Sequence, residues 1–533
     1  MVSISRSSAG WVVWGGLLLA LGYLPSLRTN FDFIDDGNLV YPAQAGLSAS
    51  DYAGRWWDCV RANVEHLGPF RPVLWAHWHT AAELCDGNPM LWRLLRMAWC
   101  GLAAALLLRL MHELKITPAA ALTAGAAAMW NPYRNEIWTS LTLAEGVAMP
   151  YAMLALLAAR RAATSNSRAV VWDAAAILSL LACLGCKNTF AALLPAMLWL
   201  RLTKDGVPLW ENIRTAGWSL IGYLIPLALP LGHFVYFRMN WQPGHYETPG
   251  PSLDQVARIG SWLKGAAGLD YLGVGMALCL PAALPGLWTK LRESRALVGA
   301  ALALFAGGVG VYSVTAIMAA RYTMPAVWGI DLLFAAVLSV VWSRPRGILV
   351  RLALAAVLAG TAIHFVANVG RQEKLAARSR VLWDVLHHVE ATAPRGAALD
   401  WKSGEVSAGN FDAEEGIHFA WHLQHRGRDD LRIRLVDPQA NPLKRVELPE
   451  VTGPSLYALR MSNKPDSAGT EFAAGYRFGR KQFRAVLETT RPTAELDPTL
   501  FDLMKKRFEP TDAGLLEALR PQPEDTLRRT AGR

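Results

Sequence analysis

The sequence predicts an α-helical polytopic membrane protein of about eleven transmembrane helices, followed by a small α/β domain outside the membrane. Three observations carry that prediction. Hydrophobic residues make up 53% of the chain and charged residues only 18%, well under the share of about a quarter found in soluble domains. Apolar runs of spanning length recur through residues 1–368. Residues 369–533 then hold about half of all the charged side chains, which marks a separate soluble domain. The net charge of +10 does not point to nucleic acid, because Lys and Arg gather on one side of a membrane as topology determinants. No nucleic-acid partner is expected.

The first apolar run, Trp11 to Leu24, follows Arg6 and is closed by Pro25 and Arg28. It lacks a signal peptide's small-residue cleavage site and meets acidic and aromatic residues at once, so it reads as the first span, N-terminus in the cytoplasm. Residues 28–88 are too polar to span. Tyr52, Trp56, Trp57, Phe70, Trp75 and Trp78 suit them to helices in the headgroup layer, an outer loop that roofs a cavity. Ten further runs follow at roughly 90–111, 117–131, 141–159, 169–186, 189–202, 216–236, 268–288, 296–318, 323–342 and 347–368, of which 117–131 and 189–202 are short. The inner loops then carry Arg109 and Lys115; Arg160, Arg161 and Arg168; Arg201, Lys204 and Arg214; Lys290, Arg292 and Arg295; and Arg344, Arg346 and Arg351. Positive charge falls inside at every loop, and an odd number of spans places the tail outside with the first loop.

In the tail, Leu431 to Val436 alternates as a half-buried strand, Ala397 to Trp401 and Leu456 to Met461 are further strands, and 373–391 and 513–520 read as helices. The stretch from Pro521 on reads as frayed. All 6 Cys lie between Cys59 and Cys279, so no disulfide framework is implied, and the Cys183/Cys186 pair reads as packing inside an apolar helix. His418, His422 and His425 share a face if 416–425 is helical, which is compatible with a metal, although a solvated helix is the plainer reading. His77 and His79 fall on different helix faces and read as interfacial.

The chemistry gathers around Phe31-Asp32-Phe33-Ile34-Asp35-Asp36-Gly37-Asn38, three carboxylates just beyond the first span. Acidic groups beside a bilayer mark a functional site by default, the plainer alternative being a turn in a solvated loop. Phe70-Arg71-Pro72 closes the outer loop. Gly87-Asn88-Pro89 opens the second span, where Arg93 and Arg96 share a face. Guanidinium groups there suit a phosphate headgroup, or snorkel to the surface. Asn131-Pro132-Tyr133-Arg134-Asn135-Glu136 precedes the fourth span, and Glu145 lies inside it, where a carboxylate needs a partner or a cavity. Lys187-Asn188 and Arg321-Tyr322 face the same compartment.

This ordered set resembles the GT-C class of membrane glycosyltransferases, nearest to the branch that includes protein O-mannosyltransferases and bacterial lipid-linked sugar transferases. The resemblance covers roughly residues 10 to 345. It implies transfer of a sugar from a polyprenyl-phosphate donor to an acceptor hydroxyl on a glycan, lipid or protein. Asp35 matches the first residue of the family's acidic pair, the catalytic base, and Asp36 the second. Arg71, Lys187 and Arg321 match basic positions near the donor phosphate, with Tyr322 beside them; Glu136, Glu145 and Asn131 match supporting positions. Arg93 and Arg96 stand where relatives often carry His and Asn, and Asn188 where an acidic residue is common. Asp36 or Glu136 could hold a divalent cation, Mg or Mn. A bacterial inner membrane with the tail in the periplasm is the expected location. The rival classes are a transporter or lipid flippase, which should show a repeat or mid-bilayer polar groups, and a non-catalytic scaffold of envelope assembly.

Overall fold

The computed structural model describes residues 6–31, 36, 52–67, 70–85, 87–165, 167–204, 206–217, 219–240, 253–313, 320–343, 347–393, 395–396, 398–402, 412–435, 457–462, 470–478 and 481–489. Its contacts divide the chain into two compact units. One comprises Met1–Leu24, Tyr52–Ala81 and Leu91–Arg371, the other Pro25–Asp51, Ala82–Met90 and Gln372–Arg533. Residues 513–520 and the end of the chain, expected to be helical and frayed respectively, lie outside the described residues.

The first unit is helical, and three of its helices, those at Pro72–Cys85, Pro89–Glu113 and Ile348–Thr392, continue into residues of the second. In chain order it runs α1 (Arg6–Leu21), α2 (Tyr52–Leu67), α3 (Pro72–Cys85), α4 (Pro89–Glu113), α5 (Pro118–Met129), α6 (Glu136–Thr139), α7 (Ala144–Thr164), α8 (Ala169–Leu184), α9 (Leu194–Leu202), α10 (Leu209–Ala216), α11 (Ser219–Gly222), α12 (Ala228–Asn240), α13 (Leu253–Ala266), α14 (Leu269–Glu293), α15 (Arg295–Ser313), α16 (Met324–Trp342) and α17 (Ile348–Thr392). Proline opens several of these, at Pro118, Pro195 and Pro325, where its missing N–H is no loss. The core forms where α7 packs on α8 and α9, α15 on α16 and α9, and α16 on α5 and α14. Alanine is frequent in these seams: Ala121, Ala148, Ala155, Ala300, Ala301 and Ala335 are all buried, which lets helices approach closely where lipid supplies no hydrophobic drive.

The runs expected to span fall largely on helix where described, yet among the described residues length and composition alone qualify four helices as able to cross a membrane, or up to six if two sharply bent pairs each count as one span. The difference from eleven has visible causes. Helices α1, α5 and α8 are apolar but short, and α9 is only 9 residues long because a 3-10 turn, Asn188–Leu193, replaces its first half. Between α13 and α14 the chain bends by 78° at Gly268, whose φ of 74° favours glycine. Helix α17 also departs from expectation. The anticipated span and the separate helix 373–391 form one helix of 45 residues, because no proline interrupts them.

In the second unit, β1 (Ala398–Lys402), β2 (Arg432–Leu435), β3 (Tyr457–Ser462), β4 (Thr470–Phe478) and β5 (Lys481–Thr489) form a sheet in the order β2-β1-β3-β5-β4. Strand β1 is parallel to β2 and β3; β5 is antiparallel to β3 and β4. Parallel neighbours need a crossover, and α18 (Asp412–His425) supplies it between β1 and β2. The three strands read from sequence appear within a residue or two; the β4–β5 hairpin was not anticipated. Segment 25–31 docks on the end of α17 through Ser26 N to Gln372 Oε1 (3.0 Å), Asn30 N to Ser379 Oγ (3.1 Å) and Trp383 Nε1 to the Phe31 carbonyl (3.0 Å).

Candidate active site

The site begins with the main chain. Pro72 starts α3 with a fixed φ, and the next two amides, Val73 N and Leu74 N, donate to the carbonyl of Gly185 at 3.1 and 3.3 Å. A side chain at 185 would bring a Cβ to 2.6 Å from Val73 Cγ2, so only glycine permits the approach. Arg71 is thereby tethered to the turn that carries Lys187, within electrostatic reach of both Cys186 and Lys187.

Lys187 pairs with Glu145, and its ammonium lies 4.4 Å from the centre of the Tyr322 ring. Arg321 pairs with Glu136, approaches Glu145 to 3.7 Å and stacks over the same tyrosine at 5.1 Å. Behind them Tyr312 donates to Thr189 Oγ1 at 2.9 Å and contacts the Tyr322 ring at 5.9 Å. Residues from five separate stretches, the Arg71 loop, α6, α7, the Lys187 turn and the Arg321 turn, thus converge. The Lys187–Glu145 pair is almost wholly buried, at 9% and 4% side-chain exposure, whereas Glu136 is half exposed at 52%.

Two carboxylates cannot neutralise three cations. Arg71 makes no ion pair among the described residues, and its Nε is buried without a hydrogen-bond partner. Among the described residues one positive charge is left in excess, in a setting of low dielectric where it acts strongly on an incoming anion.

Arg93 and Arg96, expected to meet a phosphate or snorkel, hold main-chain carbonyls. Arg93 donates to the Thr139 carbonyl, and Arg96 Nη2 donates to the carbonyls of Ser140 (2.8 Å) and Leu143 (2.9 Å). One face of α4 therefore grips the loop that delivers Glu145 to the first turn of α7, a position the helix dipole favours for a carboxylate. Asn131 likewise holds backbone: its Nδ2 donates to Gly265 and Ala266 carbonyls at 3.2 and 2.8 Å, and its Oδ1 accepts from Tyr133 N.

The sequence reading missed the adjoining Arg134–Asp331 pair. It is bidentate, 2.7 and 2.9 Å, with Arg134 Nε on the Ala266 carbonyl at 2.7 Å. The signal was present in Asp331, a lone carboxylate in the apolar run 323–342. His77 stacks near Trp99 at 5.1 Å, and burial together with the Arg96 charge lowers its pKa to about 4, keeping it neutral. His79 is buried against Cys59 Sγ at 3.3 Å.

Asp36 is buried and belongs to the second unit; Asp35 lies outside the described residues. Among the described residues no three His, Cys, Asp or Glu side chains are placed to hold a metal ion. Glu136, a candidate ligand, is engaged by Arg321. His418 and His422 are packed into aromatic core, His422 against Phe31 and Trp383 at 6.1 and 5.0 Å, and burial holds its pKa well below the usual value. Cys183 and Cys186 are buried thiols, as their apolar surroundings led us to expect.

No protein-family model and no curated protein matches the chain. Solved structures do. The apo crystal structure of ArnT from Cupriavidus metallidurans superposes with a TM-score of 0.50 at 13% identity, covering 90% of this chain and 98% of that one. The structure of the same protein bound to undecaprenyl phosphate gives a TM-score of 0.49 with the same identity and coverage. ArnT is a GT-C glycosyltransferase, and the apo likeness extends over nearly its whole length. This chain has the GT-C fold.

Proposed function

We propose that this protein transfers a sugar from a polyprenyl-phosphate-linked donor to an acceptor hydroxyl on the outer face of the membrane, with inversion at the anomeric carbon. The carrying observation is the excess positive charge of the Arg71, Lys187 and Arg321 cluster on a GT-C fold. When the bond between the anomeric carbon and the phosphate oxygen breaks, both bonding electrons go to that oxygen. Preorganised cations stabilise the growing charge, and Arg71, which pairs with no carboxylate among the described residues, has most to offer. The acceptor oxygen forms the new bond to carbon and its proton passes to Asp35, a general-base role typically contributing about 10²–10⁴-fold. A single base opposite the leaving group gives inversion, by the geometry that separates inverting from retaining glycosidases. Arg93, Arg96 and Asn131 act as positioning residues through the backbone they hold. Asp36 or Glu136 would be the residue to hold a divalent cation, and no step is routed through one. The location proposed is a bacterial inner membrane, with residues 369–533 as a periplasmic domain that binds acceptor or partner.

The test incubates purified protein in lipid nanodiscs with polyprenyl-phosphate sugars and acceptor extracts, following release of polyprenyl phosphate. Release by the wild type and its loss in Asp35→Asn is the expected result. Absence of release from every donor by folded protein overturns the proposal in favour of transport or scaffolding.

A further inference from the structure

Next to Lys187 stands a side chain the reaction above does not use. Both polar atoms of the Asn188 carboxamide, Nδ2 and Oδ1, are buried without a hydrogen-bond partner; among the described residues no other side chain leaves a donor and an acceptor orphaned together. Burying an amide unpaired is costly, and native proteins rarely tolerate it without a ligand or water to complete the bonds. The site is well walled. Asn188 opens the 3-10 turn Asn188–Leu193, Thr189 is held by Tyr312 at 2.9 Å, and Phe190 is fixed against Trp328 at 5.6 Å.

We infer that Asn188 reads the hydroxyl edge of the transferred sugar and so sets donor specificity. This rests on the proposed function. A phosphate oxygen only accepts, so it would serve Nδ2 and leave Oδ1 without a donor. A pair of neighbouring hydroxyls both donates and accepts, which matches both halves of the carboxamide. Covalent distance makes the same choice. The sugar is bonded directly to the phosphate, and Asn188 is bonded directly to the residue whose ammonium sits in the cation cluster. A carboxylate here would accept only and would add charge beside the leaving group.

The experiment measures binding of bare polyprenyl phosphate and of polyprenyl-phosphate-linked hexoses and pentoses to full-length wild type and Asn188→Leu in nanodiscs. The wild type should bind one sugar-linked donor about 10- to 100-fold tighter than bare polyprenyl phosphate, and Asn188→Leu should lose that increment while keeping its affinity for polyprenyl phosphate. Unliganded Asn188→Leu should unfold at the same temperature or higher, since leucine removes the unpaired amide. An increment retained in Asn188→Leu overturns the inference and leaves the function standing; no binding of any polyprenyl phosphate to the wild type overturns both. If the variant does not fold, single-deoxy analogues of the best donor on the wild type decide: one deoxy position must lose at least tenfold, and equal binding of all analogues refutes the reading.

Discussion

Glu145→Gln separates a binding site from a structural ion pair, because it should move stability and affinity in opposite directions. The carboxylate pairs with Lys187 and lies 3.7 Å from Arg321 Nε, with 4% of its side chain exposed. At that separation and an effective dielectric of about 20, a unit pair attracts by about 4–5 kcal/mol. Removing one partner of a buried pair typically costs about 3–5 kcal/mol, since the remaining charge is left without compensation. Glutamine keeps an oxygen for Lys187 but none of the charge, so the unliganded variant should lose stability within that range. The cluster then carries two positive charges in excess instead of one, and an anion should be held more tightly. We expect the dissociation constant for bare polyprenyl phosphate to fall at least tenfold, about 1.4 kcal/mol. Saturating ligand should accordingly restore more stability to the variant than to the wild type. Denaturant unfolding in detergent micelles, with and without polyprenyl phosphate, measures both quantities. A variant that is destabilised but binds the phosphate no better than wild type would show that no anion approaches this cluster, and the functional reading built on it would fail.

Arg71 offers the complementary case. With no ion pair to lose among the described residues, Arg71→Gln should leave the unfolding free energy within about 1 kcal/mol of wild type while weakening polyprenyl phosphate at least tenfold in the same titration. Asp331→Leu should destabilise by about 3–5 kcal/mol by stranding Arg134, and adding Arg134→Met should recover most of that loss; a double-mutant cycle of unfolding energies checks it. Asp430 caps the Gly396 amide at 2.9 Å, and its hydrogen bond with Arg428 pulls its pKa from 3.8 to about 2. Its folded pKa is depressed, so the stabilisation is full above about pH 4 and fades as pH falls through 2. Hydrogen exchange of Gly396 N–H should show that acid dependence, and Asp430→Asn should flatten it.

The sequence revealed where helices run, because apolar length is a property of each segment alone. Glu145 and Lys187 stood out as polar groups in or beside apolar runs, and they meet in an ion pair. What stayed hidden depends on geometry between segments. The sharing of Arg321 between Glu136 and Glu145, and the turning of Arg93 and Arg96 toward carbonyls, follow from how α4 faces the loop before α7. Helix α13 escaped because its polar face hides its period from a search for apolar runs, and the orphaned amide of Asn188 is a fact about missing neighbours.

The tether between Arg71 and Lys187 is made by atoms that every amino acid carries. Two main-chain amides reach one main-chain carbonyl, and the charges hang from that frame at a separation no side chain sets. The surrounding sequence is consequently at liberty to drift, its apolar residues exchanging for others of like size, without disturbing the distance between the two cations. One position is denied that liberty: at 185 even a methyl group would meet the Val73 side chain at 2.6 Å, on the residue whose amide makes the tether.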